Sequence, residues 1–306
     1  MEQAGTIAII GAGALGIMYG ERMARMLGSE RVFFAADDAR AAQYRAGCFS
    51  CNGTPCALRV VTPDAARPVT LAIFAVKGPG LDGAIETMRP FIGGETILLS
   101  LLNGISSEQA LCDAFGPAHV LYGVAQGTDA VREGMSVHYA HLGQILIGSA
   151  EGEVTPDVET ARELLLAGGA PCVVCGDMRF RQWSKLMLNV GLNQVCAVYD
   201  VPYGGVQTPG AARDTMLAAM REAQRLAACE GVTLTDTDID AWMRMTDGLS
   251  PEGMPSMRQD TLARRKTEAE LFSGTMRRLG RLHGVPTPVN DWLYERLAAI
   301  EASYEG

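Results

Sequence analysis

The sequence lacks the features expected of a nucleic-acid-binding, membrane or secreted protein. Lysine and arginine number 26 against 35 aspartates and glutamates, a net charge of −9, and no basic run is long enough to follow a phosphate backbone. No apolar run approaches the roughly 20 residues that cross a bilayer. The start, Met-Glu-Gln-Ala-Gly, has no basic region of a signal peptide. We therefore expect a cytoplasmic protein that binds neither nucleic acid nor membranes.

Residues for a metal site are also scarce, because the chain has four histidines. Its eight cysteines include a cluster over 48–56 and the pair Cys172 and Cys175. Pro171-Cys-Val-Val-Cys-Gly reads as a strand, in which residues three apart face opposite sides, so these two thiols diverge. Since zinc requires four convergent ligands, we predict buried, reduced cysteines and no metal.

The sequence does have enough apolar material for a large core, since 48% of its 306 residues are hydrophobic and 20% are charged. Apolar runs alternate with helical patterns up to Asp177, which predicts a parallel sheet with helices on both faces. After Asp177 nearly every segment reads as helix. We therefore predict a doubly wound α/β domain over 1–177 and an all-helical domain over 178–306.

The predicted elements follow from apolar periodicity and from the Gly and Pro residues that separate the segments. They are strands over 6–10, 31–36, 69–76, 96–102 and 120–124, helices over 17–27, 82–88, 107–115 and 155–166, a hairpin over 136–147 with its turn near Gly143-Gln144, and helices over 179–199, 211–231, 235–245, 256–283 and 288–304. The apolar faces of the long helices after Ala211 fit either an internal bundle or pairing with a second copy in a homodimer.

A glycine-rich loop directly follows the first strand. Gly11, Gly13 and Gly16, with Ala14 and Leu15 between them, open the first helix at the spacing of a dinucleotide-binding turn. Glycine serves such a turn in its tight bend, in the approach of a pyrophosphate and in helix packing, and the helix N-terminus offers N–H groups to phosphates. Glycine turns also occur for purely structural reasons, but this context predicts a Rossmann-type domain that binds NAD or NADP.

The end of the second strand meets the ribose 2′ position of such a cofactor and carries Asp37, 21 residues after Gly16. A carboxylate there accepts hydrogen bonds from the 2′-hydroxyl and repels a 2′-phosphate, which favours NADH. Two alternatives stay open. Arg40 or Arg45 pairs with a 2′-phosphate, or Asp37 is a solvated turn residue.

The helical half carries one polar stripe. Lys185, Asn189 and Asn193 are spaced i, i+4 and i+8, so they project along one face of a helix, and their neighbours are apolar. A solvated polar face and a functional cleft account equally well for this pattern, because lysine and asparagine are ordinary surface residues.

Further motifs follow these in a fixed order. They are Val76-Lys77, Leu102-Asn103-Gly104, the Lys185-x3-Asn189-x3-Asn193 segment, Pro255-Ser256-Met-Arg-Gln-Asp260, Lys266-Thr267-Glu268 and His283-Gly-Val-Pro-Thr-Pro. Together with the glycine loop, they make the sequence resemble the ketopantoate reductase (2-dehydropantoate 2-reductase) family almost end to end. The resemblance implies a Rossmann domain followed by a helical domain of the 6-phosphogluconate dehydrogenase type, with the substrate held between them. It also implies reduction of 2-dehydropantoate to pantoate by NADPH, on the route to pantothenate and coenzyme A.

The resemblance also implies roles for single residues. Lys185 matches the family's general acid, and an ammonium suits that role because it stabilises the alkoxide that hydride addition produces and also donates the proton. Glu268 is implied to orient Lys185, although a glutamate on an exposed helix beside Arg264, Arg265 and Lys266 has the same pattern. The remaining implied contacts are Asn189, Asn193 and Ser256 to substrate, Asn103 to cofactor and substrate, and Lys77 to cofactor or substrate. For Asn103 and Lys77 the alternative is a turn residue at a strand end.

Two positions depart from the family pattern. Asp37 stands where the family has a basic residue that holds the NADPH phosphate, so we expect NADH to be used in preference to NADPH. Leu102 precedes Asn103 where a polar residue is usual. Two other functions remain open: another NAD(P)-dependent 2-hydroxyacid dehydrogenase on this scaffold, and a non-catalytic NAD(P)-sensing protein, which would not need Lys185, Asn193 and Glu268.

Overall fold

A computed structural model describes residues 5–56 and 58–304 of the chain. Residues 1–4 lie outside the described residues. They make up most of the N-terminal segment in which no signal peptide is predicted. Residues up to Met178 form one compact unit, and those from Arg179 onward form a second. The predicted class, an α/β sheet structure followed by a helical region, is confirmed.

The first unit alternates short strands with helices. Its strands are β1 (Ile7–Ile10), β2 (Val32–Ala35), β3 (Ser50–Cys51), β4 (Thr54–Pro55), β5 (Val60–Val61), β6 (Leu71–Phe74), β7 (Ile97–Ser100), β8 (Val120–Thr128), β9 (Val131–Glu133), β10 (Ser136–His138), β11 (Leu142–Gly148) and β12 (Cys172–Val174). Its helices are α1 (Ala14–Leu27), α2 (Asp38–Ala46), α3 (Leu81–Met88), α4 (Ser107–Phe115) and α5 (Pro156–Ala167).

Eight of these strands form one sheet in the order β12-β11-β8-β7-β6-β1-β2-β5. The strands from β5 through β8 in this order are parallel neighbours, whereas β11 runs antiparallel to β8 and parallel to β12. The strand order reverses at β1, which lies between β2 and β6. In open α/β sheets, ligands bind at the carboxyl ends of the strands beside such a reversal.

The central strands are buried on both faces, which explains why they read as continuous apolar runs. Successive residues of a strand point to opposite faces. In β1, Ile7 and Ile9 pack with α1 and α5, while Ala8 and Ile10 pack with α3 and α4. The sheet therefore has a core on each side, and its strand ends form an edge between the two helix layers.

The predicted hairpin over 136–147 is wrong. β10 pairs with β9 and β3 in a separate four-stranded sheet, whereas β11 pairs with β8 and β12 in the large sheet. Gly143 lies inside β11 with φ 64°, opposite Gly127 with φ 71°. Two glycines in left-handed conformation make an irregularity within the β8–β11 pair. The predicted turn is this irregularity.

The second unit is helical, as expected. Its elements are α6 (Met178–Leu188), a first π turn (Asn189–Asn193), α7 (Gln194–Val198), α8 (Gly204–Gln207), α9 (Ala211–Cys229), α10 (Asp236–Asp247), α11 (Ser256–Leu262), a second π turn (Glu270–Gly274), α12 (Thr275–His283) and α13 (Pro288–Ala302). The long helix α9 contacts the first π turn, α12 and α13.

Two predicted helices are interrupted. The segment 179–199 contains the first π turn, and 256–283 breaks after α11 before the second π turn. Arg264, at φ 51°, adopts a left-handed conformation that an α-helix does not accommodate. Thr267 then donates through its N–H and its hydroxyl to the carboxylate of Glu301, at 2.8 and 2.5 Å. Glu268 therefore precedes a helical segment, which corrects its predicted position on a helix.

All eight cysteines are free thiols. Cys48 and Cys229 are exposed, so the prediction that the cysteines are buried is wrong for these two. Within residues 5–56 and 58–304, no group of three or more His, Cys, Asp or Glu side chains is arranged to hold a metal ion. No helix in these ranges combines the length and apolar character needed to span a membrane.

Candidate active site

The glycine loop lies at the carboxyl end of β1, where Gly11 and Gly16 are required by the packing of the chain itself. Gly11 has φ 105°, and a Cβ added there would lie 2.5 Å from the Ala75 carbonyl oxygen. A Cβ on Gly16 would overlap the Gly11 carbonyl oxygen. These two glycines therefore allow the loop to fold closely against itself and against the segment that follows β6.

Gly13 differs from the other two glycines. A Cβ there would meet the Ala75 carbonyl oxygen at 3.6 Å, an ordinary van der Waals distance. Gly13 is the N-cap of the 14-residue helix α1, whose first turn contains no acidic residue. The open space and the N–H groups of the helix N-terminus fit the close approach of a dinucleotide pyrophosphate.

Arg132 adds positive charge beside this loop. It lies on β9 of the small sheet, and its guanidinium donates to the carbonyl oxygen of Ala12. A second hydrogen bond, 2.7 Å to the Gly134 carbonyl, and the ring of Phe49, 5.9 Å away, hold the side chain. The small sheet therefore brings a cation to the glycine loop from a distant part of the sequence.

Asp37 follows β2 and is the N-cap of α2. One carboxylate oxygen accepts from the Arg40 N–H at 2.8 Å, and the other pairs with the Arg40 guanidinium at 2.7 Å. Both side chains are solvent-accessible. Asp37 is thus an ordered capping residue at the strand end, and the charge of Arg40 lies directly beside it.

Lys77 and Asn103 follow the parallel neighbours β6 and β7, so they share the sheet edge with the glycine loop and Asp37. Lys77 is exposed and Asn103 is half-buried. A buried chain of hydrogen bonds underlies Asn103: the Leu102 N–H donates to Ser100 Oγ at 3.2 Å, and Ser100 contacts the Ser107 hydroxyl at 2.8 Å. Ser107 in turn donates to the Glu108 carboxylate at 3.0 Å. These buried hydrogen bonds therefore stabilise the turn that carries Asn103.

In the helical unit, Asn189 and Asn193 begin and end the first π turn. The side-chain amide of Asn193 donates to Asn189 Oδ1 at 3.4 Å, and both side chains are buried. The predicted shared face is therefore correct for these two residues, but a π turn forms it. Gly191 within the turn permits close packing, since a Cβ there would lie 2.7 Å from Met220 of α9.

Lys185 lies on α6 one turn before Asn189 and is half-buried. Desolvation lowers the pKa of its ammonium group to about 8, against the Glu268 carboxylate, which raises it. Glu268 is half-buried as well, and its carbonyl oxygen accepts from the N–H groups of Leu271 and Phe272 at 3.0 and 3.3 Å. The two predicted residues are thus electrostatically coupled. An amine that titrates near neutral pH can exchange protons with a bound ligand.

Ser256 is the first residue of α11 and is exposed. Its helix packs against the first π turn and α7.

Residues 7–152 match the family described as ketopantoate reductase PanE/ApbA, and residues 177–301 match its C-terminal domain. The chain belongs to the ketopantoate reductase family. It is 24% identical over 296 residues to the 2-dehydropantoate 2-reductase of Archaeoglobus fulgidus, covering 97% of this chain and 98% of that protein. Ketopantoate reductases are oxidoreductases of CH–OH groups, and the use of NAD(P)H is typical of them.

Solved structures share the fold. A PanE/ApbA family ketopantoate reductase from Ralstonia eutropha is 25% identical, with a TM-score of 0.85 over 98% of this chain and 100% of that chain. D-Mandelate dehydrogenase, solved with NADH and anilino(oxo)acetate, is 23% identical, with a TM-score of 0.84 over 98% of this chain and 99% of that chain. The fold of this chain is therefore shared by a ketopantoate reductase and by a D-mandelate dehydrogenase.

Sequence reasoning missed two features beside the ketopantoate reductase motifs. No local pattern marks Arg132, because the small sheet brings it to the glycine loop. Gln194 had a signal, since it is a polar residue in an otherwise apolar run after Asn193. It is fully buried between the two π turns.

Proposed function

We propose that this protein reduces a small 2-keto acid with a nicotinamide cofactor, and that the substrate is 2-dehydropantoate, which yields pantoate. The observation that carries the proposal is Lys185, an amine whose pKa is lowered to about 8 by burial and which is coupled to a carboxylate. Membership of the ketopantoate reductase family supports the substrate and the direction of the reaction.

Lys185 is the general acid in this proposal. The reduced nicotinamide, when bound at the glycine loop, would supply the hydride for the keto carbon. The ammonium group of Lys185 stabilises the negative charge that develops on the keto oxygen and donates the proton that completes the hydroxyl group. A pKa of about 8 suits this step, because the group is mostly protonated at neutral pH and still transfers its proton readily.

Glu268 holds Lys185 in its protonated form, since its carboxylate raises the lysine pKa against the effect of burial. Asn189, Asn193 and Ser256 bind the substrate carboxylate and hydroxyl through neutral hydrogen-bonding groups. Asn103, fixed on its turn by Ser100 and Ser107, contacts cofactor and substrate in its own unit of the chain.

The cofactor binds at the sheet edge of the first unit. Gly11, Gly13 and Gly16, with Ala14 and Leu15, accommodate the pyrophosphate, Arg132 contributes positive charge there, and Lys77 contacts the cofactor from the end of β6. We propose that NADH is preferred over NADPH, because Asp37 presents a carboxylate at the end of β2 and pairs with the nearby Arg40.

A second candidate is a 2-hydroxyacid dehydrogenase with another substrate, favoured by the structural similarity to D-mandelate dehydrogenase. Both candidates use Lys185 as the general acid and a nicotinamide cofactor, and they differ in the keto acid that they accept. Turnover of 2-dehydropantoate should therefore be measured beside a panel of 2-keto acids that includes the keto acid of mandelate, with NADH and NADPH in parallel. The highest kcat/KM for 2-dehydropantoate is expected, and a higher value for another keto acid would favour the second candidate.

The Lys185→Met variant tests the chemistry. Its turnover is expected to fall by at least about 100-fold, the usual contribution of a general acid. Lys266→Met is the matched control, because Lys266 is exposed and its loss removes the same charge. Undiminished turnover in Lys185→Met, with the fold intact, would show that another group is the acid, whereas a wild type that turns over no 2-keto acid would leave the nucleotide-sensing role.

A further inference from the structure

Gln194 is a fully buried amide that joins the two π turns of the helical unit. Its Nε2 donates to the carbonyl oxygen of Val190, within the first π turn, at 2.9 Å. Its Oε1 accepts from the N–H of Ser273, within the second, at 3.1 Å. One side chain therefore satisfies backbone groups in two segments that are far apart in sequence.

The second π turn explains why this N–H needs a side-chain partner. In an α-helix the Ser273 N–H would donate to the Ala269 carbonyl. Here that carbonyl accepts from the Gly274 N–H at 2.9 Å, the i→i+5 bond of a π turn, and from the Ser273 hydroxyl at 3.3 Å. Because a buried N–H without a partner is costly, Gln194 stabilises the π form of this turn.

A carboxylate sets the orientation of the Gln194 amide. Glu222 on α9 is buried and accepts from the backbone N–H of Asn290 at 2.9 Å and from its side-chain Nδ2 at 2.8 Å. Because the Nδ2 of Asn290 is directed to Glu222, its Oδ1 faces Gln194 and accepts from the Gln194 Nε2 at 3.3 Å. The Oε1 of Gln194 is thereby directed to Ser273. The hydrogen bonds of the network therefore all point in one direction, from Ser273 through Gln194 and Asn290 to Glu222.

The two turns carry the residues of the proposed chemistry. The first contains Asn189 and Asn193 and follows the helix of Lys185. The second begins two residues after Glu268, whose carbonyl oxygen accepts the first N–H bonds of that segment. A change of hydrogen-bond register in the second turn would displace Glu268, since the residues before a helical turn rotate with it.

We propose that Gln194 is a positioning residue, which acts through the two π turns to hold Glu268 in register with Lys185. It does not touch the reacting atoms in this proposal. The inference rests on the proposed function for its consequence in catalysis, whereas the coupling of Gln194 to Lys185 can be measured without any turnover.

The test replaces Gln194 with methionine, which has a similar length and no amide. Without its acceptor, the Ser273 N–H is expected to return to the Ala269 carbonyl, and the second turn to become α-helical. Glu268 then acts less on Lys185. Since Glu268 raises the lysine pKa, the pKa of Lys185 is expected to fall by about half a unit or more, and kcat by about tenfold or more, with a smaller change in KM.

The pKa can be read directly by NMR titration of protein labelled with ¹³C-lysine. The chain has three lysines, and Lys77 and Lys266 are exposed and serve as internal references. The signal of Lys185 is assigned by its loss in Lys185→Arg. The matched control is Gln207→Met, because Gln207 also donates two backbone hydrogen bonds, to Thr246 and Leu249 at 2.9 Å each.

The expected result is a lowered Lys185 pKa in Gln194→Met and an unchanged one in Gln207→Met. An unchanged Lys185 titration in a folded Gln194→Met, or an equal shift in Gln207→Met, would overturn the proposal. If Gln194→Met does not fold, Gln194→Asn is decisive in the same way, because the shorter amide cannot reach both turns. If the wild type reduces no 2-keto acid, the proposed function fails and the titration still decides the positioning.

Discussion

The pH dependence of turnover tests the role of Lys185 most directly. An ordinary lysine has a pKa of about 10.4, and a general acid with that value would stay almost fully protonated up to about pH 9. Burial lowers the pKa of Lys185 to about 8. The structure therefore predicts a break in the rate profile close to pH 8, where an exposed lysine would give none.

The size of the effect follows from this value. With a pKa of about 8, about nine-tenths of Lys185 is protonated at pH 7 and about one-tenth at pH 9. Reduction of a keto acid needs the protonated form, so kcat/KM should fall about tenfold between these two pH values. Oxidation of the hydroxy acid needs the neutral amine, so its kcat/KM should rise by about the same factor. Opposite slopes in the two directions are the signature of one acid–base group.

The assay follows absorbance of the reduced nicotinamide from pH 6 to pH 10 in both directions, in a buffer series of constant ionic strength. Lys185→Arg is the informative variant, because arginine keeps its charge over this range, and its residual activity should show no break near pH 8. A flat profile for reduction up to pH 9.5 in the wild type would refute the assignment. So would a break near pH 8 that persists in Lys185→Arg.

Three further predictions concern neighbouring groups. Glu268→Gln removes the charge that raises the pKa of Lys185, so the break in kcat/KM for reduction should move to lower pH. A pH profile identical to that of the wild type would show that Glu268 does not act on Lys185. Asp37→Ser keeps a capping side chain on α2 but removes its charge, so the ratio of kcat/KM with NADPH to kcat/KM with NADH should rise by at least about tenfold. The control Asp38→Ser, at the next residue, should change this ratio less. Arg132→Met should raise KM for both cofactors by about tenfold, as expected for the loss of one hydrogen bond to a charged group, whereas Arg89→Met, which breaks an exposed ion pair with Glu86, should leave both values unchanged.

The sheet of the first unit could be predicted from the sequence because its signals are local. The residues of β1, β2, β6 and β7 are buried at every position, so these strands read as unbroken apolar runs. The glycine loop and α4 were equally visible, since glycine spacing and apolar periodicity depend on near neighbours. The small sheet was not, because β3 and β10 are two and three residues long and pair across most of the unit.

The hairpin error has a similar cause. Gly143 carries the conformation of a turn residue, and a sequence pattern cannot tell whether such a residue ends a strand or lies opposite a second glycine within a strand pair. Gly127 decides the matter here, because its positive φ matches that of Gly143 across the β8–β11 ladder. The partner that distinguishes the two outcomes lies in another strand.

The candidate site shows the same limit with larger consequences. The spacing of Lys185, Asn189 and Asn193 indicated a common face, and the hydrogen bond between the two asparagines agrees with it. Spacing could not indicate the π turns, because an inserted residue leaves the apolar pattern of a buried helix unchanged when every neighbouring position is apolar.

What makes a π turn stable is a partner for the backbone group that it leaves without its α-helical bond. In the second turn that partner is the Oε1 of Gln194, which comes from a helix 79 residues away. A buried amide in an apolar run, next to predicted site residues, is therefore the sequence feature from which such a turn could be suspected. Its proof requires the three-dimensional partner.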